Sequence, residues 1–297
     1  MKNILVTGGN GQLGTELRNL AEKSSSQWFF TDVVERDGVK THLLDITDRE
    51  AIKNFALQNG IDTIVNCAAY TNVEGAEDDF ARCDLLNRAA AENLASVAAL
   101  CDALLIQVST DFVFDGKNSI PYKEDDKAAP LSVYGKTKFA GELAVASSDC
   151  KYLIFRTAWL YSPYGKNFVK TMMKLTAEKD SLKVVADQIG TPTSALTLAS
   201  LIFDVVENNK YSVSGTYHLT DEGVASWYDF AYAVGKICGN SCDVQPCFTE
   251  DFPQKATRPH YSVLDKSKVK KDFGFAIPYW RDALEVCIQR LNEQNSL

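Results

Sequence analysis

Residues 4–14, Ile4-Leu5-Val6-Thr7-Gly8-Gly9-Asn10-Gly11-Gln12-Leu13-Gly14, decide the fold. Ile4–Val6 is an apolar run without alternation, the pattern of a strand buried on both faces. A helix is expected over Gly11–Ala21. Between them, glycines 8, 11 and 14 form G-x-x-G-x-x-G, a variant of the dinucleotide-binding fingerprint. Gly8 permits a tight turn, Gly11 lets backbone approach a pyrophosphate, and Gly14 lets the helix pack closely on the sheet. The helix N-terminus then stabilises phosphate charge. An ordinary tight turn is the bland alternative, and the strand-then-helix context speaks against it.

Outward from this loop the alternation continues. Strands are expected at Trp28–Thr31, His42–Leu44, Thr63–Asn66, Leu104–Ser109 and Leu153–Arg156. Helices are expected at Asp48–Gln58, Phe80–Leu100 and Ser132–Ala146, with Asp48 a good cap. Strand and helix in alternation imply an α/β fold, a Rossmann-like doubly wound parallel sheet. Beyond residue 162 the pattern loosens. Helices are expected at Asn167–Thr176, Ser194–Asn208, Ser226–Cys238 and Trp280–Asn292, short strands at Val184–Val185 and Tyr217–Leu219, and a polar loop over Cys247–Pro259. The chain therefore divides into a dinucleotide-binding domain, 1–162, and a smaller C-terminal substrate-binding lobe, mainly 163–297. Residues 186–210 are candidates to return to the first domain.

Ligands of such sheets bind beyond the carboxyl ends of the strands. Gly8, Asn10, Gly11, Gln12 and Leu13 are expected to hold the cofactor, with Ala68 and Ala69 past the fourth strand. Asp32 closes the second strand, where an acid accepts bonds from ribose hydroxyls and repels a 2′-phosphate. No Arg follows immediately, although Arg36 lies four residues on. The cofactor is thus NADPH or NADH, with a lean to NADH. Asp45 and Ile46 are the natural adenine contacts. A helix cap is the alternative for Asp45, a role that suits Asp48 better.

Tyr134-Gly135-Lys136-Thr137-Lys138 contains Y-x-x-x-K. On a helix, positions i and i+4 share a face, so Lys138 stands beside Tyr134 while Lys136 points away. A phenol titrates near pH 10 in isolation, and an adjacent cation is expected to lower that value. Tyr134 can then protonate a carbonyl oxygen as hydride arrives at carbon. Lys138 can also bind the nicotinamide ribose. The hydroxyl pair Ser109-Thr110 ends the fifth strand and can bond the same oxygen. Thr110, Tyr134 and Lys138 are the expected catalytic set. A surface Tyr and Lys on an amphipathic helix is the competing reading.

The 297 residues carry a net charge of −8, with 45% apolar and 24% charged residues. That balance fits a globular chain with a sizeable core and disfavours nucleic acid or anionic membrane as partners. Eight cysteines are scattered without a C-x-x-C. Cys238, Cys242 and Cys247 come closest to a metal cluster, but their spacing is wrong for common zinc sites, and free thiols are the expectation. No leader pattern and no spanning apolar run are visible, so the cytoplasm is the expected compartment.

Longer strings carry a resemblance. GGNGQLG at 8–14, NCAAYT at 66–71, STDFVFDG at 109–116, RTAWLY at 156–161, Asn167-Phe168-Val169, DQIGTPT at 187–193, SWYDF at 226–230 and Arg258-Pro259 resemble the dTDP-4-dehydrorhamnose reductases, extended short-chain dehydrogenases, along nearly the whole chain. The resemblance implies hydride transfer to C4 of dTDP-6-deoxy-L-lyxo-4-hexulose, giving dTDP-L-rhamnose for cell-surface polysaccharide. It implies that Thr110 and Tyr134 meet the sugar carbonyl. It further implies that Asp111 and Trp159 line the sugar site, and that Asn167 and Arg258 meet the nucleotide diphosphate. A guanidinium fork fits phosphate oxygens, although a surface salt bridge is the alternative for Arg258, as core packing is for Trp159. Phe112 stands where a Tyr is more usual. Some relatives hold Mg²⁺ at a dimer interface. Glu16 matches one such acid, but Ser194-Ala195-Leu196 supplies none, so no metal site is expected. The assembly is a monomer or homodimer.

Two other readings share these parts. A nucleotide-sugar epimerase or dehydratase would consume no NADH or want a second acid where Phe112 stands. A non-catalytic regulatory subunit of methionine adenosyltransferase would not need Tyr134 and Lys138.

Overall fold

The computed structural model describes residues 1–210 and 214–295. Seven parallel strands form its central sheet, in the spatial order 215–218, 151–157, 104–110, 63–66, 3–7, 27–32 and 42–43. The first strand, Asn3–Thr7, lies between Gln27–Asp32 and Thr63–Asn66. Strand order therefore reverses on either side of it, and a crevice opens there at the carboxyl ends.

Alternation within the strands builds two cores. Ile4 and Val6 pack with Leu13, Leu17, Leu198 and Ile202 on one face of the sheet. Leu5 packs with Ile52, Leu94 and Ala98 on the other. Successive side chains point to opposite faces, so a strand covered on both sides is apolar except where a buried polar side chain finds a partner, as Asn66 does in Gln107 at 2.8 Å. The helices form as their ends dictate: Asp48 accepts from the Ala51 amide, and Ser132 from the Gly135 amide.

Three pieces of the second half join the sheet or its cover. Gly215–His218 is the seventh strand, and helices Ala195–Glu207 and Ser267–Phe273 pack beneath it. The remainder forms a lobe with its own core around Tyr161, Phe230, Trp280 and Leu284. Helices Phe168–Glu178, Trp227–Ile237 and Trp280–Asn295 and three two-stranded pairs build it.

Three details differ from the sequence reading. The expected helix Phe80–Leu100 contains a π-turn over Leu85–Ala89, which turns Asn87 inward to bond both the Tyr70 amide and its carbonyl. Gly141 makes room for it, since a Cβ there would sit 2.2 Å from the Asn87 carbonyl oxygen. Cys247 ends a strand, Asp243–Cys247, rather than opening a loop. Helix Ser267–Phe273 lies in a polar stretch to which no element was assigned.

Candidate active site

A cavity of about 750 Å³ opens at the crevice, between the sheet's carboxyl edge and the lobe. Gly8, Gly11, Gln12 and Leu13 form its floor, with Ala68 and Ala69 beside them and Asp32, Asp45 and Ile46 at one end. Gly8 has φ +62°, and a Cβ would meet the Ala68 amide nitrogen at 2.7 Å. A Cβ on Gly14 would lie 2.5 Å from the Gly8 carbonyl oxygen. The loop therefore has room for backbone and for nothing larger, a cradle suited to a diphosphate at the N-terminus of Gln12–Ala21. Asn10 alone of the expected cofactor residues stands back from the cavity wall. Its side chain donates to the Val34 carbonyl at 2.7 Å and accepts from Thr41 Oγ1 at 3.0 Å, bracing the loop. Its backbone amide donates to Asp32 Oδ2 at 3.1 Å. Asp45 Oδ1 accepts from the amide and hydroxyl of Thr47, both at 2.8 Å.

Thr110, Asp111, Tyr134 and Lys138 line the middle of the cavity. Strand alternation separates the hydroxyl pair. Ser109 turns away and donates to Glu142, which also forms a buried ion pair with Arg156 at 2.7 Å. Thr110 faces the cavity and donates to Asp111 Oδ1 at 3.0 Å. Removing one partner of a buried pair such as Arg156–Glu142 costs about 3–5 kcal/mol, so the pair fixes strand to helix beneath the site. Two buried oxygens on the wall, Asp111 Oδ2 and Thr157 Oγ1, have no partner within hydrogen-bond geometry among the described residues, although the Ser262 hydroxyl lies near enough to Asp111 to help hold its carboxyl down against burial. Such atoms are rare in folded chains and are explained where a ligand supplies the bond.

Lys136 is exposed and Lys138 buried. The expected lowering of the Tyr134 phenol by Lys138 is not what governs it here. Burial pushes that phenol above its ordinary value, the Thr110 hydroxyl opposes this, and the nearby Asp111 and Cys83 add to the rise. The Lys138 ammonium is turned to the Val108 carbonyl at 2.6 Å. Burial pulls Lys138 down to about 8, with Glu142 and Cys83 holding it up. A phenol kept protonated at neutral pH is a proton donor rather than a base, the state needed to protonate a carbonyl oxygen.

Trp159 and Asn167 come from the lobe side. Trp159 has φ +50°, a conformation a bulky residue rarely adopts. The ring of Trp227 stacks on it at 3.6 Å, and Gly190 leaves the space its indole fills. Trp159 thus both packs on the lobe core and faces the cavity. Asn167 caps helix Phe168–Glu178 through Oδ1, while Nδ2 donates to Gln12 Oε1 at 2.9 Å, joining lobe to cofactor loop. Arg258 lines the cavity and also donates to Glu74 at 2.8 Å. Trp227 and Glu74 were not foreseen as site residues. Their signals lay in SWYDF, quoted but given no role, and in Asn72-Val73-Glu74, where only the fold brings an acid to Arg258.

Magnesium does not fit. Arg290 grips both oxygens of the fully buried Glu16 carboxylate, at 2.9 and 2.8 Å. Among the described residues no group of three His, Cys, Asp or Glu could hold a metal. Cys238, Cys242 and Cys247 are free thiols, as are the other five.

The chain matches the family model described as RmlD substrate binding domain over residues 1–293. It is 37% identical to a dTDP-4-dehydrorhamnose reductase of Burkholderia thailandensis, covering 98% of this chain and 99% of that one. The Escherichia coli enzyme of the same name is 36% identical over 97% and 98%. The chain belongs to the dTDP-4-dehydrorhamnose reductase family. Solved structures agree. The reductase from Clostridium acetobutylicum superposes with TM-score 0.91 at 41% identity, covering 98% of this chain and 99% of that one. The Bacillus anthracis reductase, in complex with NADP, does so at 0.89 and 35%, covering 98% and 100%. A Thermus thermophilus UDP-glucose 4-epimerase shares the fold at 17% identity and TM-score 0.82. No helix among the described residues is long and apolar enough to cross a membrane.

Proposed function

We infer that this protein reduces the C4 ketone of dTDP-6-deoxy-L-lyxo-4-hexulose to dTDP-L-rhamnose, a precursor for cell-surface polysaccharide. It is an NAD(P)H-dependent oxidoreductase. The observation that carries the reading is the meeting of a glycine-built diphosphate cradle with Thr110, Asp111, Tyr134 and Lys138 in one cavity. When bound, the reduced dinucleotide supplies the hydride. Gly8, Gly11, Gln12 and Leu13 hold its diphosphate, Ile46 and Asp45 flank its adenine, and Ala68 and Ala69 pack beside it. Asn10 contributes by bracing this loop. Tyr134 gives its proton to the ketone oxygen, Thr110 bonds the same oxygen, and Lys138 binds the nicotinamide ribose and offsets charge on the phenolate left behind. Trp159 presents a ring face to the sugar and Asp111 its unpartnered oxygen. Asn167 and Arg258 meet the substrate's diphosphate.

Asp32 supports a lean to NADH, because a carboxylate closing the second strand accepts from ribose hydroxyls and would repel a 2′-phosphate; it lines the cavity and accepts from the Asn10 and Val33 amides. Residues 1–158 with 195–207, 215–218 and 267–273 serve as the cofactor-binding body, and the rest, from Trp159 and Tyr161 in the lobe's core, as the substrate lobe. All eight thiols are unpaired, which fits the reducing cytoplasm. The test is stoichiometry: purified protein given the 4-keto-6-deoxy-L-sugar nucleotide and NADH should oxidise one dinucleotide per sugar reduced. Turnover of the sugar with no net dinucleotide oxidation would mean an epimerase instead.

A further inference from the structure

Arg258 lies in a stretch with no helix or strand between residues 253 and 260. Three donors from this stretch converge on one carboxylate across the cavity mouth. The Arg258 guanidinium donates to Glu74 Oε1 at 2.8 Å, and the amides of Lys255 and Ala256 donate to Oε2 at 2.8 and 3.4 Å. Lys255 also pairs with Asp78 at 2.5 Å. On the far side, Pro259 rests on Gly116, where a Cβ would come within 2.5 Å.

Glu74 is itself held firmly. It belongs to the single turn Val73–Ala76, capped by Asn72, whose Oδ1 accepts from the Gly75 amide at 3.0 Å. Its neighbour Val73 lines the cavity. Burial alone would push the Glu74 carboxyl up, but the bonds from Arg258, Lys255 and Ala256 outweigh that and hold it below its ordinary value. It is therefore a fixed anion. Arg258 gives it one terminal nitrogen, and among the described residues the guanidinium has no other hydrogen-bond partner. A guanidinium offers five N–H groups in a rigid fork. Pinning one edge to a carboxylate restricts where the other edge can point, and Arg258 lines the cavity.

We propose that Glu74 is a positioning residue that aims Arg258 at the diphosphate of a nucleoside-diphosphate sugar, making the diphosphate, more than the base, the feature that admits a substrate. The proposal rests on the reading that Arg258 meets this diphosphate. An acid beside a diphosphate site would repel the ligand if it stood alone. Its charge offset by the Arg258 guanidinium and its second oxygen held by two amides, it instead removes the rotamer freedom that a long Arg would otherwise lose on binding.

The test measures binding of dTDP, thymidine and NADH to the full-length protein by calorimetry. The variants are Arg258→Ala, Glu74→Gln, Glu74→Asp and the double Arg258→Ala/Glu74→Gln. Arg258→Ala should weaken dTDP by about 30-fold, the lower part of the range for truncating one side of a charge-assisted contact, and leave thymidine unchanged. Glu74→Gln should weaken dTDP by about tenfold, raise KM with kcat retained, and spare thymidine and NADH. In the double variant Glu74→Gln should add nothing to Arg258→Ala. A change in NADH binding or melting temperature marks a folding defect. Glu74→Asp, which keeps the charge but draws it back by one methylene, then decides, and it too should lose dTDP selectively. Unchanged or tighter dTDP binding without Glu74, with Arg258→Ala weakened, would overturn the positioning role. Unchanged binding in Arg258→Ala would overturn the underlying reading of Arg258 itself.

Discussion

The two sides of the cavity are made differently. The cofactor side is backbone: Gly8, Gly11 and the start of helix Gln12–Ala21 are set by local steric rules and by two neighbouring strands. The lobe side is side chain. Trp159 is held by Trp227, Asn167 by Gln12, and Arg258 by Glu74, each across a long stretch of sequence. A backbone cradle tolerates little change, because a Cβ on Gly8 or Gly14 collides and one on Gly11 is tight at 3.2 Å from the Gly8 carbonyl oxygen. A wall of paired side chains can be retuned one pair at a time. On the proposed reading, the first side serves the dinucleotide and the second serves substrate choice.

The largest effect should come where the two sides meet. Tyr134→Phe keeps the ring and its edge-on packing against Phe112 but removes the proton. General acid catalysis is worth about 10²–10⁴-fold, so kcat should fall by that much while NADH still binds. Steady-state rates with parallel binding measurements check this, and wild-type turnover would refute the donor role.

Next in size is the cradle. Gly8→Ala puts a Cβ against Ala68 at a positive φ. Steric strain of this kind costs about 1–3 kcal/mol, so NADH affinity should drop by about 10- to 100-fold with a lower melting temperature. On the lobe side, Trp227→Ala removes the stack behind Trp159. Aromatic pairs are worth about 0.5–1.5 kcal/mol beyond their buried area. KM for the sugar nucleotide should rise by about tenfold and NADH affinity should not move. If both variants damaged both ligands alike, the division between the two sides would fail.

The same division explains what could be read in advance. Ile4–Val6, Ile64–Val65 and Leu104–Ile106 announce themselves because burial on both faces selects short apolar runs, while the polar Asn66 and Gln107 are buried by bonding each other across the sheet. Gly8 and Gly14 announce themselves because only one residue type fits. The seventh strand was legible only in part, as Tyr217–Leu219 where Gly215–His218 forms, and its place beside Lys151–Thr157 is a pairing across some sixty residues of sequence. Asp243–Cys247 has only Val244 and Cys247 buried, and tolerates Pro246 because its two-stranded sheet has open edges. Nothing in its composition separates it from a loop. Glu74 was invisible as a site residue for the same reason: its partner is 184 positions away. The tuning of Tyr134 was misread because helical spacing places Lys138 beside it, while the Val108 carbonyl, on another element, takes the ammonium.

The smallest effect concerns that ammonium. Burial lowers Lys138 to about 8, so it is charged at pH 7 and loses its charge as pH rises through 8. The dinucleotide carries negative charge. Its affinity should therefore be level from pH 6 to about 7.5 and decline above 8, by a few-fold at pH 9, since loss of one partly screened charge contact is worth about 1 kcal/mol. Thymidine, which carries no phosphate, should show no such decline. Lys138→Met should bind NADH more weakly at pH 7 and with no inflection near 8. An inflection that survived in Lys138→Met would assign the titration to another group and detach Lys138 from the cofactor side.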